Sequence, residues 1–466
     1  MKVASPAPSP KISRVESTSD TLSSRGGLFF FGKYLESAGF FRLVGNHLAD
    51  LRKSGKGRKA EKLVKQMVCA FADGRGHSMT DFSSLRADPS QAAILEMNLE
   101  EMAGGDMMKR FFRKFLGRKW EVLRPLLSRL FLWRLSVEGP KVVVLDLDTM
   151  VLDNDDALKR EGCEPTYKKV KGFQNLHLSW QGRLVDVVFR SGEKHSNHGE
   201  DVLRILRKTV ASIRESYDAQ VPIVVTMDSG FLDGDIFTAL EEELGIGYIC
   251  SGKLYGSIRE KVEALPDADF GYLRKGATCW AYAEFESGLD AWKGKERRTL
   301  YTSLVEEDGQ ISLPFARPDA VYYTNLGRCE VLDKELWNRG FHRLRFAEGI
   351  LELAHGRGES ELIHRSVKEF MGREHLPFQR FGMNAAYYLF QVISHFLLEC
   401  FRRDVAGEII PLRSYPDTIR RKVIDFAAKV VRTGGRVVLK VTRSIWESLE
   451  VERLWARCQA APVLTT

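Results

Sequence analysis

The sequence predicts an α/β fold with a mixed sheet and a β-rich insertion, preceded by a helical N-terminal region. Three observations predict it. Residues 25–135 carry apolar residues at helical spacing. From residue 141, short β-branched runs alternate with helical stretches. Residues 253–340 break into aromatic, strand-prone pieces between charged turns. A chain of 466 residues, 44% of them apolar, holds two or three domains, or one domain with insertions.

In order, residues 1–24 are rich in Ser, Pro and Thr and read as disordered. In the helical region 25–135, Leu28, Phe29, Phe31, Leu35, Phe40 and Phe41 predict a helix from Gly27 to Phe41. A second helix covers Ala60 to Asp73, and a shorter one Ser90–Glu96. Helical pattern then runs from Met107 to Phe131, broken near Gly117 and Pro125. This last stretch is basic, with Lys109, Arg110, Arg113, Lys114, Arg118, Lys119 and Arg124. Such a face fits contact with phosphates, and it also fits ordinary solvation.

The segment 136–252 reads as strand, hairpin, helix, strand, helix, strand. The strand Val142–Leu145 ends in Asp146 and Asp148. Phe173–Trp180 and Arg183–Arg190 form a hairpin about Gln181-Gly182, Asn197–Ser216 is a helix, and Pro222–Asp228 is the next strand. A helix at Leu232–Leu244 and a strand at Gly247–Ser251 complete it. The acidic run Asp153-Asn-Asp-Asp156 reads as turns and a helix cap rather than a metal site. The β-rich insertion spans 253–340, and helices resume over 341–403, with Met383–Phe401 buried. The tail, 404–466, holds a basic helix near Tyr415–Val431, a Gly434-Gly435 turn and a strand Arg436–Val441.

The net charge of +8 is unevenly spread. Residues 1–134 carry 24 Lys/Arg against 13 Asp/Glu, and residues 401–466 carry 13 against 7, so the middle is acidic. Basic flanks around an acidic centre fit a chain that grips a polyanion and holds divalent metal between. Seven scattered cysteines without a CxxC pair indicate a reducing compartment, no disulfide framework and no zinc site. No apolar run is long enough to span a membrane, and the N-terminus lacks a signal-peptide core.

Chemistry is concentrated in three places. Asp146 and Asp148 share one face of their strand, because side chains alternate with period 2. An acid at the end of a buried strand costs desolvation energy unless it has a partner, often a metal. A second such strand ends at Asp228. In Arg357-Gly-Glu-Ser-Glu-Leu-Ile-His-Arg-Ser-Val-Lys368, residues Arg357, Glu361 and Lys368 fall within about 40° on a helix. Spacing alone favours an ordinary charged helix face, and Gly356 and Gly358 leave open whether Arg357 lies in the helix or just before it.

Four pieces resemble the DDE transposases of bacterial insertion sequences, most closely the insertion sequence 1380 family. They are Leu145-Asp-Leu-Asp-Thr149, Met227-Asp-Ser-Gly-Phe231, Arg357-Gly-Glu-Ser-Glu361 with Lys368, and His375-Leu-Pro377 followed by Asn384-Ala-Ala-Tyr387. Val321-Tyr-Tyr-Thr-Asn-Leu326 is similar to the family's segment before its glutamate. The resemblance covers about Gly27 to Val441 and implies an RNase-H-like catalytic core, split by the insertion into 136–252 and 341–403. Residues 25–135 would then bind DNA or dimerise.

The resemblance makes Asp148, Asp228 and Glu361 the metal-binding catalytic acids. Asp148 stands directly before Thr149, as first acids of related motifs stand before Gly, Ser or Thr; Asp146 is a supporting or alternative group. Arg357 and Lys368 match the Arg and Lys of the family's Tyr-Arg-Glu-Lys signature and would hold phosphate, but Ala354 stands at the tyrosine position. Carboxylates suit Mg²⁺ or Mn²⁺, and two ions about 4 Å apart would clamp an in-line displacement at phosphorus. The implied activity is metal-dependent cleavage of transposon ends and strand transfer into target DNA. The implied partners are double-stranded DNA, with its terminal inverted repeats, and a second copy of the chain. The implied location is the bacterial cytoplasm, at the nucleoid when DNA is bound.

Two other readings compete. Leu145-Asp-Leu-Asp-Thr-Met-Val-Leu152 also resembles the first motif of haloacid-dehalogenase-type phosphatases, which would make Asp146 a nucleophile; Met150 departs from that motif. An inactive or domesticated DNA-binding protein is the non-enzymatic alternative, to which Ala354 points.

Overall fold

The computed structural model describes residues 12, 14–51, 57–156, 159–196, 200–292, 294–308, 310–311 and 319–464, without the side chains of 311 and 358–361. Of the segment expected to be disordered, residues 1–11 and 13 lie outside these. Thr21–Ser23, within the same segment, forms a strand, β1. The helix expected from Gly27 to Phe41 is two, α1 (Gly27–Ser37) and α2 (Phe40–His47), because Gly39 turns left-handed at φ 83°. Next comes α3 (Ala60–Ala72), buried from Leu63 onward; its Gln66 is satisfied by the Ala103 backbone N–H and carbonyl at 2.7 and 2.9 Å. A capping box of Ser78 and Asp81 starts α4 (Met79–Ala87), and Asp88 with Pro89 starts α5 (Pro89–Ile94).

The basic stretch holds α6 (Gly105–Phe112) and α7 (Leu123–Glu138). Gly117, at φ 66°, breaks the pattern as expected, but Pro125 does not. It lies in the first turn of α7, where its missing N–H has no helical partner to lose.

Among the described residues, the main sheet has eleven strands. Its first members are β2 (Val143–Asp153), β3 (Glu164–Pro165), β4 (Lys171–Trp180) and β5 (Arg183–Val188). After α8 (Asp201–Ser216) comes β6 (Ile223–Met227); after α9 (Gly234–Thr238) comes β7 (Gly247–Ser251). Asn197, the expected start of α8, lies outside the described residues. The helix expected over Leu232–Leu244 is shorter: Asp233 caps α9, which widens into a π-helical turn at Ala239–Glu243. β4 runs antiparallel to β2 and β5 antiparallel to β4, while β6 and β7 run parallel to β2.

Then follow α10 (Gly256–Glu263), β8 (Gly271–Lys275), β9 (Thr278–Ser287), β10 (Arg297–Glu307), β11 (Gln310–Ile311) and β12 (Ala320–Thr324). These strands extend the same sheet, since β12 pairs with β7 and the order continues β12-β10-β9-β8.

Four helices follow: α11 (Glu330–Asn338), α12 (Ala347–His355), α13 (Gly358–Met371) and α14 (Phe381–Phe401). All but the first of the 21 residues of α14 are buried. One apolar cluster runs from α1–α7 through α14 to β2, β4, β5, β6 and β7. A second, smaller one packs Val142, Val224 and Ile249 against α11 and α12.

The tail departs from expectation. The basic helix read over Tyr415–Val431 shrinks to α15 (Pro416–Ile419) and a π-helical turn ending at Ile424. From there the chain becomes a hairpin of β13 (Ala428–Thr433) and β14 (Arg436–Val441). Val430, Val431 and Thr433 are β-branched, and Gly434 and Gly435, at φ 56° and 76°, make the two-residue turn. β1 pairs with β13 to complete a three-stranded sheet. The chain ends in α16 (Arg443–Ser448) and α17 (Val451–Gln459), which packs on α1.

Candidate active site

Register positions the first two acids. β2 and β6 pair in parallel from Val143↔Ile223 to Leu147↔Met227. One further step sets Asp148 opposite Asp228, where the ladder stops. Paired residues of parallel strands face the same side, so both acids, with Asp146 and Thr226, lie on one face. The acids do not end β2, as the sequence suggests. Thr149–Leu152 are good strand formers and continue against β4 to Asp153, with His177 opposite Asp148.

The contacts divide the acids. Asp146 Oδ1 accepts from Thr226 Oγ1 at 2.7 Å and from Arg357 Nε at 2.9 Å. Asp148 Oδ1 accepts its neighbour's N–H, Thr149, at 2.6 Å. Asp148 Oδ2 stands 3.8 Å from Arg357 Nη2 and 3.9 Å from His364 Nδ1. Asp228 Oδ1 accepts the Gly230 N–H at 2.8 Å, which caps the turn after β6. Burial pushes Asp148 up to about 7 against the pull of Arg357, helped by Asp228 and Asp146. Burial opposes the Arg357 charge, but Asp146 beside it, with Asp148 and Asp228, outweighs this and raises its pKa.

Arg357 immediately precedes α13, so it lies just outside the helix. Glu361 is in the first turn of α13, and its side chain lies outside the described residues. Lys368 is engaged elsewhere: its Nζ sits 2.8 Å from Glu374 Oε2, which also accepts the Asp153 N–H at 2.9 Å. The structure thus brings Asp146, Asp148, Asp228 and Arg357 together and pairs Lys368 with a different acid. Ala354 is buried in the smaller apolar cluster. Asp153–Asp156 form local bonds: Asp153 Oδ1 accepts the Asp155 N–H at 2.9 Å, and Asp155 Oδ1 that of Lys171 at 3.0 Å.

Several neighbours escaped the sequence reading. His364, three residues after Glu361, reaches Asp148; burial lowers its pKa to about 4. Its Nε2 is 3.4 Å from Nδ1 of His177, and His177 Nε2 is 2.7 Å from the Tyr388 hydroxyl of α14. Burial also holds His177 well below its ordinary value. Tyr167, in the turn between β3 and β4, has its pKa raised by burial and then by Asp148 and Asp228. Helical spacing from Glu361 could have flagged His364; His177 needed the register.

A set of two or three carboxylates with water is what Mg²⁺ or Mn²⁺ takes. Asp148 and Asp228 supply hard oxygens, with Asp228 close enough to oppose the charge on Asp148, so the residues fit such an ion. Among the described residues no group of three His, Cys, Asp or Glu is close enough to bind a metal, and that excludes Glu361, whose side chain is not described. Apart from the acids, Arg58, Arg110, Arg113, Lys114, Arg118 and Lys119 line a surface groove of about 940 Å³. No helix among the described residues is long and apolar enough to cross a membrane.

The family model described as transposase DDE domain, group 1, matches residues 7–463. None of the curated proteins matches the chain. Among solved structures, the chain is similar to the cryo-EM structure of a piggyBac transposase synaptic complex with hairpin DNA. The identity is 12%, covering 86% of this chain and 79% of that one, with a TM-score of 0.36.

Proposed function

The chain belongs to the transposase DDE domain family, group 1, and on that premise we propose that it cleaves transposon ends and joins them to target DNA. The observation that carries this reading is the meeting of Asp148 and Asp228, on one face, at the end of the β2–β6 ladder. In this reading β5-β4-β2-β6-β7 is an RNase-H-like core. Three strands joined by antiparallel pairing and two added in parallel support it. Glu361 is the third acid, one turn before His364 in a helix packed against β2. The source is an insertion sequence of the 1380 type in a bacterial cytoplasm, and two copies of the chain hold the two ends.

Asp148, Asp228 and Glu361 would hold two Mg²⁺ or Mn²⁺ ions. When bound, the ions supply positive charge at the attacked phosphorus and make the attacking hydroxyl more acidic. Asp148, whose pKa burial raises to about 7, would hold such an ion in its ionised form. Arg357 donates to Asp146, stands 3.8 Å from Asp148, and offsets negative charge brought by the scissile phosphate. Lys368 exchanges Glu374 for a DNA phosphate. The groove lined by Arg110, Arg113, Lys114 and Lys119 takes phosphates along the duplex, giving binding that weakens steeply with salt. Asp146 is occupied by Thr226 and Arg357 and is not presented as a nucleophile, so the phosphatase reading is not favoured.

The test uses DNA bearing matched inverted repeats, with Mg²⁺ or Mn²⁺. Wild-type protein nicks at the repeat ends and joins them to a target plasmid. Asp148→Asn, Asp228→Asn and Glu361→Gln each lose about 10³-fold or more of that activity and retain DNA binding in gel shifts. Cleavage by Asp148→Asn at the wild-type rate would overturn the proposal.

A further inference from the structure

A cleft of about 540 Å³ opens where the segment from Arg373 to Phe378 meets the starts of α4 and α6, and it shares no residue with the acid site. Close packing and amide bonds fix its walls. Gly105 brings the start of α6 against α4: a Cβ there would sit 2.2 Å from the Met79 carbonyl oxygen, and Ser83 Oγ accepts the Gly105 N–H at 3.1 Å. Asn154, just past the end of β2, holds the facing wall. It donates to the Glu374 carbonyl at 3.0 Å and accepts the Leu376 N–H at 2.9 Å. Asn384 likewise accepts the Phe378 N–H at 2.9 Å and donates to its carbonyl at 2.8 Å. The Glu161 N–H donates to the Gln379 carbonyl at 2.8 Å, which brings the loop between β2 and β3, with Arg160, to the same cleft.

Three cations line it: Lys109 from α6, Arg160 from that loop, and Arg373. Among the described residues none of the three pairs with a carboxylate, whereas cations on the flanking segments do: Lys368 with Glu374, Arg75 with Asp73, and Arg420 with Asp417. Arg160 Nη1 is buried without a hydrogen-bond partner among the described residues, and burial lowers the pKa of this arginine. His77 and His375 add ring nitrogens, and Asp106 is the one carboxylate among the described lining residues. Met79, Thr80 and Asp106 stand in first helical turns, where N–H groups lack a helical acceptor. Three unpaired cations against one acid leave an excess of positive charge, and several donors around one small volume suit a phosphate group, whose oxygens accept from more than one cation at once.

We propose that this cleft is a phosphate site, filled by a backbone phosphate of the DNA strand whose scissile phosphate lies at Asp148 and Asp228; that the phosphate comes from DNA rests on the function proposed above. The segment that forms the cleft also touches the catalytic elements. Glu374 pairs with Lys368 of α13 and accepts the Asp153 N–H of β2, while Arg373 and His375, its neighbours in sequence, line the cleft. From Asp148 to Asp153 β2 advances about 17 Å, or about five phosphate steps of a duplex strand. A phosphate about five nucleotides from the cut then holds the strand in register with the acids. His375-Leu-Pro377, which the chemistry at the acids leaves unused, is part of its seat.

Two probes on the full-length protein test this: a random-sequence duplex of about 30 base pairs, and inorganic phosphate at constant ionic strength. The slope of log affinity against log salt counts the phosphates bound, at about 0.9 each. Lys109 and Arg373 are exposed, so Lys109→Gln/Arg373→Gln should melt at the wild-type temperature. That double variant should reduce the duplex slope by about 1. Adding Arg160→Gln should reduce it no further, because the three cations share one phosphate; a second loss of about 1 means separate phosphates and overturns the shared seat. In isothermal titration the double variant should bind inorganic phosphate about tenfold more weakly than wild type. Equal phosphate affinity overturns the site. Weakened phosphate binding with an unchanged duplex slope overturns DNA as the source and leaves a site for a free anion. If the wild type does not bind the duplex at all, the DNA function falls instead, and inorganic phosphate still decides the cleft.

Discussion

Asp148 carries its charge at a cost the unfolded chain does not bear. In the metal-free fold its proton is held up to about 7, while the unfolded carboxyl releases it near 3.8. Between these values the folded state binds more protons, so stability falls as pH rises. The contribution is fully present below 3.8 and lost above about 7. In chelator, Asp148→Asn should abolish this slope and be more stable than wild type at pH 8 by about 2–4 kcal/mol, with little difference at pH 4. Urea denaturation at both pH values checks it. At this scale the shared face of Asp146, Asp148 and Asp228 was legible, because two apolar runs each carry acids at their expected ends and side chains alternate with period 2. Arg357 was legible only beside a family signature, and its engagement by Asp146 was not. His177 and Tyr388 were invisible, since a buried histidine and tyrosine carry no pattern until register and helix packing bring them together.

At the scale of elements, β2 does two jobs. Its first half runs parallel to β6 and ends at the acid pair; its second half pairs only with β4, which sets His177 opposite Asp148. The β2–β4 pairing is tight at its far end: a Cβ on Gly172 would collide with the Leu152 carbonyl. Gly172→Ala should therefore destabilise the fold by about 2–4 kcal/mol. A thermal melt reads this; a melting temperature equal to wild type would mean the strands can part there freely. The alternation of strands and helices was legible from composition and period. Strand length was not, because the acids in β2 looked like an end. The basic segment after α15 misread as helix for a related reason: Lys and Arg fit a helix face, while the Val-Val and Gly-Gly signals of the hairpin were the stronger local chemistry.

At the scale of the whole molecule, α14 ties the N-terminal helices to the sheet. Beside its C-terminal end lies a largely buried ion cluster. Glu138 Oε1 is 2.6 Å from Arg183 and 3.0 Å from Arg134, and Arg134 also pairs with Asp404 at 2.7 Å. Side chains of Arg134 and Arg183 are 1% and 2% exposed. Burial opposes the Glu138 charge, but Arg183, Arg403 and Arg134 bring its pKa down to about 2. That stability is present above 4.5 and is lost as pH falls toward 2. Glu138→Gln leaves three guanidinium groups, Arg134, Arg183 and Arg403, short of a counter-charge and should cost about 3–5 kcal/mol at pH 7 in equilibrium denaturation. None of this was legible, because the partners are far apart in sequence and meet only through packing. The same distance governs how the chain is made. Besides α2, α3 and α14, α1 packs against α17 and the turn before β13, and among the described residues β1 pairs with β13 alone. At about 10 residues per second, the apolar face of α1 waits roughly 40 s on the ribosome for segments still to be translated. Part of the cover of α1 thus comes from the other end of the chain, and a ribosome stalled before Ala428 would display that face to chaperones and proteases.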